Sequence, residues 1–252
     1  MNKIALITGA TSGIGMATAK VLAKLKYNLI ITGRRKERLD QFSNLLQSEF
    51  GIHTKALAFD IRNEEETTAA LNTLGEKWSK IDILINNAGL ASGTETVDQA
   101  DWTKWKQMID TNITGLLFLS KEIIKGMVSR KQGHIVNISS IAGIQTYPGG
   151  SVYSATKHAV NAITKGMRID LLPHNIKVSS VSPGMVDTEF SLVRFGGNQE
   201  KANNVYNGVD ALLAEDIADA IEYIVTRPAH VNINDMLIMP TQQADATNIY
   251  RK

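Results

Sequence analysis

Seven short apolar runs recur along the chain, at Lys3–Thr8, Asn28–Thr32, Lys55–Phe59, Ile81–Asn86, His134–Ile138, Ile176–Val181 and Asp235–Met239. Most are continuous rather than alternating, which is the pattern of strands buried on both faces. Between them, apolar positions recur at helical spacing over 13–26, 36–49, 64–79, 101–130, 152–172 and 215–226. Strict alternation of the two patterns predicts an α/β, doubly wound fold: a seven-stranded parallel sheet with helices on both faces. A (β/α)8 barrel fits less well, because seven strands are counted and a glycine run follows the first. No linker or charge block divides the 252 residues, so 1–252 is expected to form a single domain. One segment, 186–210, breaks the rhythm with Gly196-Gly197 and a polar stretch around Asn198, Gln199, Asn203 and Asn204. Long connections in compact domains are often binding loops, so 186–210 reads as a substrate-side lid in preference to a surface excursion.

Composition narrows the chemistry. The apolar content of 43% supports a sizeable core, and a formal net charge of +2 gives no reason to expect nucleic acid or a membrane surface as a partner. Cysteine is absent, which removes disulfides, thiolate metal sites and a cysteine nucleophile. The five histidines, His53, His134, His158, His174 and His230, are scattered without ligand spacing, so no metal is expected and all five read as structural or surface residues. Lys3 with the following apolar run, and Ala17-Thr-Ala19, loosely mimic a secretory leader. Thr8, Gly9 and Thr11-Ser12-Gly13 interrupt that core, and no run approaches a membrane span. A cytoplasmic protein is expected, in which the sequons at Asn112 and Asn137 are incidental.

The interrupted run makes better sense as a first strand followed by a phosphate loop. Gly9, Gly13 and Gly15, with Thr11, Ser12 and Ile14 between them, stand where strand one gives way to helix one. Glycine there permits the turn and close approach of a pyrophosphate, and the helix start offers free N–H groups and a positive dipole end. The end of strand two then selects the cofactor. An acidic residue would bind a ribose 2′-hydroxyl, but this chain has Gly33-Arg34-Arg35. Guanidinium forks suit a 2′-phosphate, so Arg34 and Arg35 favour NADP(H) over NAD, with Lys36 and Arg38 read as a solvated first turn. Asp60, followed by Ile61, is placed to accept from an adenine amino group or to cap the next helix. Asn86-Asn87-Ala88-Gly89 ends strand four at the same sheet edge, with small residues that let ribose and adenine pass.

Tyr153 and Lys157, four apart, share one helix face. A cation at about 4 Å contributes about 4 kcal/mol at an effective dielectric of about 20, enough to bring a phenol well below its usual titration near ~10. Ser139-Ser140 ends strand five at the same edge, with Ser139 facing the wrong side. A hydroxyl and a phenol converging on one carbonyl oxygen would polarise it for hydride attack. The set Thr8-Gly-x-x-x-Gly-x-Gly15, Asn86-Asn-Ala-Gly89, Asn112, Ser140, Tyr153-x-x-x-Lys157 and Pro183-Gly184 resembles the short-chain dehydrogenase/reductase family, with its Rossmann-like fold, over nearly the whole chain. The resemblance implies Tyr153 as general acid or base and Lys157 as the group that lowers its pKa and binds the nicotinamide ribose. It further implies Ser140 as the substrate-orienting hydroxyl and Asn112 as the holder of a relay water. Pro183, Gly184, Val186 and Thr188 would flank the nicotinamide. Ser12 stands where many NADP-using relatives carry a basic residue, which leaves selectivity to Arg34 and Arg35.

Gly33-Arg-Arg-Lys-Glu-Arg-Leu39, Thr188-Glu-Phe-Ser-Leu-Val-Arg-Phe195 and Pro228-Ala-His-Val-Asn-Ile-Asn234 are similar to the NADP-dependent 3-hydroxy acid dehydrogenases, a group of cytosolic homotetramers. That group covers serine 3-dehydrogenase, L-allo-threonine dehydrogenase and malonic semialdehyde reductase activities. It implies a small hydroxy or oxo acid as substrate, whose carboxylate needs a cationic or amide partner. Arg194 is the candidate, against a salt bridge or subunit contact, with Gln145 and Tyr147 as pocket walls. A broad ketone or aldehyde reductase is the alternative enzyme, and a non-catalytic NADP sensor the alternative of another class.

Overall fold

The computed structural model describes residues 2–252. In chain order the strands are β1 (Ile4–Ile7), β2 (Asn28–Gly33), β3 (Thr54–Ala58), β4 (Ile81–Asn86), β5 (Gly133–Ile138), β6 (Ile176–Pro183) and β7 (Asp235–Ile238). All pair in parallel, in the order β3-β2-β1-β4-β5-β6-β7. The predicted strands are therefore present within two residues of their expected ends. Their continuous apolar character has a simple cause. In β1, Ala5 and Ile7 enter one core with Leu29, Ile31 and Ile85, while Ile4 and Leu6 enter a second with Ile30 and Leu84. A strand such as β1 thus feeds two cores, and neither of its faces can be polar.

The first core is closed by α1 (Gly13–Lys24), α2 (Lys36–Phe50) and α9 (Ala214–Val225), through Leu22, Leu39, Ile217 and Ile221. The second is closed mainly by α5 (Leu116–Arg130), through Leu119, Ile123 and Met127. The remaining helices are α3 (Glu64–Asn72), α4 (Trp102–Ile109), α6 (Ser151–Asp170), α7 (Glu189–Arg194) and α8 (Gln199–Asn204). Among the described residues, no helix is long and apolar enough to cross a membrane.

Two helical expectations and the loop expected at 186–210 differ in detail. The 64–79 pattern yields α3 and then a separate 3-10 turn at Glu76–Trp78, because Gly75 takes an extended backbone and breaks the run. The 101–130 pattern is divided by a π segment, Asp110–Gly115, between α4 and α5. There Gly115 packs so tightly on the Ile61 carbonyl that a Cβ would stand 2.7 Å from it. The segment 186–210 carries two short helices, α7 and α8, each started by a side chain: Thr188 accepts from Phe190 N, and Asn198 from Lys201 N.

The strand order places a topological switch between β1 and β4. Connections from β1 and β4 leave in opposite directions there, and a crevice opens beyond their carboxyl ends.

Candidate active site

The crevice is a cleft of about 320 Å3. Its floor is built by Thr8, buried at the end of β1, whose hydroxyl donates to Ile85 O and accepts from Asn87 N (3.0 Å) and Ala88 N (2.9 Å). Asn87 returns the link by donating to Thr8 O and Gly9 O. Gly9 turns with φ +67°, and a Cβ there would sit 3.0 Å from Ala88 Cα; at Gly15 a Cβ would collide with the Gly9 carbonyl. These glycines hold two loops in contact and keep the cleft open. Ser12 precedes α1 without capping it, and no carboxylate lies in its first turn. The N–H groups there are left for an external anion, so the loop fits a dinucleotide pyrophosphate.

All the cofactor residues nominated from sequence line this cleft except Gly15, which backs it. They include Gly9, Thr11, Ser12, Gly13 and Ile14 on one wall, Asn87, Ala88 and Gly89 on the floor, and Pro183, Gly184, Val186 and Thr188 opposite. Arg34, Arg35, Asp60 and Ile61 stand at one end, and Tyr153 and Lys157 at the other. Two details correct the sequence reading. Asp60 is not a helix cap, since Asn63 caps α3; its carboxylate is bound to Arg62, which holds it below the usual carboxylate range. Arg38 is not simply solvated, since it shares the Glu189 carboxylate with Arg35. Glu189, Phe190, Val193, Leu90 and Thr111 also line the cleft and were not singled out by sequence. Glu189, Phe190 and Val193 reach it on α7 and Thr111 on the π segment, while Leu90 directly follows Gly89, and nothing in their spacing marks a role.

At the other end, α6 presents Tyr153 and Lys157, both buried. The Tyr153 ring packs on Phe190 of α7 with centroids 5.7 Å apart. Lys157 Nζ lies 5.9 Å from the Tyr153 ring centroid and donates to Ile138 O at 2.9 Å. The expected lowering of the phenol is absent in this geometry. Burial pushes Tyr153 above its ordinary value, with Tyr147 adding to the effect, while Ser140 and Arg194 pull the other way. Burial also depresses Lys157 to about 8. Desolvation outweighs a cation aimed at a carbonyl rather than at the phenolic oxygen.

Ser140 lies between Tyr153 and Pro183, its hydroxyl accepting from Ala142 N at 3.1 Å. Ser139 turns away and donates to Lys157 O. Asn112 sits in the π segment and is locked there. Its amide donates to Leu90 O and Thr156 Oγ1 and its oxygen accepts from Leu90 N. Both amide protons are thus engaged, leaving only carbonyl oxygens to hold the expected relay water.

Of the nominated substrate residues, Ser140 lines the cleft, whereas Gln145, Tyr147 and Arg194 stand apart from its lining. Gln145 Oε1 accepts from Ala246 N at 2.9 Å, which ties it to the C-terminal segment. The Arg194 guanidinium lies 5.4 Å from the Tyr147 ring centroid, and its Nε donates to Gly93 O at 3.3 Å. Arg194 shares a face of α7 with Phe190, four residues earlier, and Phe190 is the residue packed on Tyr153.

Comparison with known proteins is consistent with this arrangement. The short chain dehydrogenase family model matches residues 3–195. The chain is 45% identical to serine 3-dehydrogenase of Rhizobium radiobacter over 253 aligned positions, covering 100% of both chains. It is 42% identical to an NADP-dependent 3-hydroxy acid dehydrogenase of Salmonella typhi, over 96% of this chain and 97% of that one. Among solved structures, the closed form of a serine dehydrogenase complexed with NADP+ superposes with a TM-score of 0.92 at 41% identity, over 99% of this chain and 100% of that one. The chain belongs to the short-chain dehydrogenase family and is an NADP-dependent oxidoreductase of the Rossmann-like, doubly wound type.

Proposed function

We propose that the enzyme interconverts a short 3-hydroxy acid and its 3-oxo acid, of the serine, allo-threonine or 3-hydroxypropionate type. The observation that carries this reading is the pairing of Phe190 and Arg194 on one face of α7, which brings a guanidinium to the same side of the site as Tyr153. A carboxylate beside the reacting carbon would find its charge partner there. The names of the serine 3-dehydrogenase and 3-hydroxy acid dehydrogenase relatives support the same substrate class.

In this reading Gly9, Gly13 and Gly15 cradle the pyrophosphate, Arg34 and Arg35 hold the 2′-phosphate, and Pro183 to Thr188 flank the nicotinamide end. The bound nicotinamide supplies or accepts the hydride. Ser140 and Tyr153 place two hydroxyls on the substrate oxygen, where they stabilise the charge that develops on it. Tyr153 donates the proton in reduction and removes it in oxidation. Burial raises its pKa, which favours the protonated phenol. Lys157, held on Ile138 O, keeps a cation beside the phenol. Asn112 fixes the Leu90 loop against α6, and 186–210 acts as the lid that carries Arg194.

A broad ketone or aldehyde reductase is the second reading, and one observation favours it. Arg194 already donates to Gly93 O and stacks on Tyr147, a pose that needs no acid ligand. Following NADPH absorbance with short hydroxy acids, their methyl esters and simple ketones separates the two. Charged hydrogen bonds contribute about 1.5–3 kcal/mol, so acids should exceed their esters in kcat/KM by about 10- to 100-fold. Equal kcat/KM for acid and ester would leave the broad reductase as the better account.

A further inference from the structure

At the opposite end of the cleft from Tyr153, the guanidinium of Arg35 is almost fully engaged. Its Nε and Nη2 donate to Thr11 Oγ1 at 3.2 and 2.7 Å, Nη2 also reaches Ser12 Oγ at 3.0 Å, and Nη1 donates to Glu189 Oε2 at 2.8 Å. Four of the five guanidinium protons therefore have partners within the protein. Arg38 donates to both oxygens of the same carboxylate, at 2.9 and 3.2 Å. The two arginines hold Glu189 well below the usual carboxylate range.

Glu189 is the first residue of α7, so it belongs to the substrate side of the molecule, whereas Arg35 and Arg38 belong to the cofactor side. A phosphate brought to Arg35 meets an Nη1 already bound to an anion, and two anions on one guanidinium repel. The 2′-phosphate must therefore take the place of the carboxylate. We propose that Glu189 is a specificity-determining residue for the cofactor, an internal anion that occupies Arg35 and Arg38 and yields them to the 2′-phosphate of NADP.

Displacement frees the start of α7 from α2. The same helix carries Phe190 against Tyr153 and Arg194 against Gly93, so the exchange links occupancy of the phosphate site to the substrate wall. A cofactor without the 2′-phosphate has nothing to exchange for Glu189, and leaves the link between α7 and α2 in place. Glu189 acts through the arginines and touches no reacting atom, so it is a positioning residue. For this to hold, Arg35 must be a 2′-phosphate ligand, as proposed above.

The test uses 2′,5′-ADP and ADP as probes, positional isomers of which only the first carries a 2′-phosphate, and neither involves turnover. Calorimetric titration of the Glu189→Gln enzyme should give a Kd for 2′,5′-ADP about five-fold lower than wild type, since two half-exposed ion pairs no longer compete. The Kd for ADP should change much less, and the gain should shrink with added salt. Hydrogen exchange supplies a second readout. In wild type, 2′,5′-ADP but not ADP should raise exchange at the amides of 189–194, and Glu189→Gln should show the raised level without ligand. An unchanged or weaker Kd for 2′,5′-ADP in Glu189→Gln overturns the exchange and makes Glu189 a support for Arg35 instead. Arg35→Met separates the two assignments: if it binds 2′,5′-ADP as well as wild type does, the assignment of Arg35 itself fails.

Discussion

Tyr153→Phe should bind NADPH with near wild-type affinity and turn over about a thousandfold more slowly. The hydroxyl is the one group at the site that can hand a proton to a substrate oxygen between Ser140 and α6, and general acid–base catalysis contributes about 10²- to 10⁴-fold. The phenyl ring keeps its packing against Phe190 and the small core of Leu90, Met108 and Ala142, so the fold and the cofactor cleft have no reason to change. Fluorescence titration of NADPH together with kcat on the best acid substrate measures both halves of this expectation. Retained kcat would remove Tyr153 from the chemistry, and lost NADPH binding would make its role structural.

Lys157→Met should lose most activity and yet be more stable than wild type at neutral pH. Lys157 is buried with one hydrogen bond, to Ile138 O, and its pKa falls from 10.5 to about 8. That displacement corresponds to about 3 kcal/mol against the charged form, and loss of the bond to Ile138 O offsets about 1 kcal/mol of the gain. The variant should therefore be about 2 kcal/mol more stable at pH 7, read as a higher denaturant midpoint with unchanged slope. The pH dependence has a definite sign. Below about 8 both folded and unfolded chains carry the proton, and wild type bears the full penalty. Between about 8 and 10.5 the folded chain releases the proton while the unfolded chain keeps it, so wild type gains and the variant's advantage shrinks. A variant less stable at pH 7, or an advantage constant up to about pH 10, would contradict this picture of a buried cation kept for function at the expense of stability.

How much of this was legible beforehand depends on whether a feature is local. The strands could be read because the inner ones are buried on both faces, and that leaves a continuous apolar signature in residues such as Ile4 to Ile7. The glycine loop could be read because Gly9, Gly13 and Gly15 lie within one strand–turn–helix unit. Tyr153 and Lys157 could be paired by helical spacing, but the direction of the phenol's shift could not be deduced. It depends on burial and on Lys157 choosing the Ile138 carbonyl, both set by the packing of α6 on the sheet. The π segment escaped notice because an insertion of this kind keeps the apolar face of 101–130 intact. Glu189 and Arg38 meet across 151 residues, and Asp60 pairs with Arg62, two residues on, in place of the alternative capping role. Contacts of that sort leave no mark in periodicity or spacing.

Arg194 is the residue through which this NADP-dependent enzyme is proposed to select acids. The most direct test of that role is the ratio of kcat/KM for a short 3-hydroxy acid to that for its methyl ester, in wild type and in Arg194→Ala. In Arg194→Ala that ratio should collapse by about 10- to 100-fold through loss of activity on the acid alone, with the ester nearly unaffected. An unchanged ratio, with acid and ester falling together or neither falling, would contradict it.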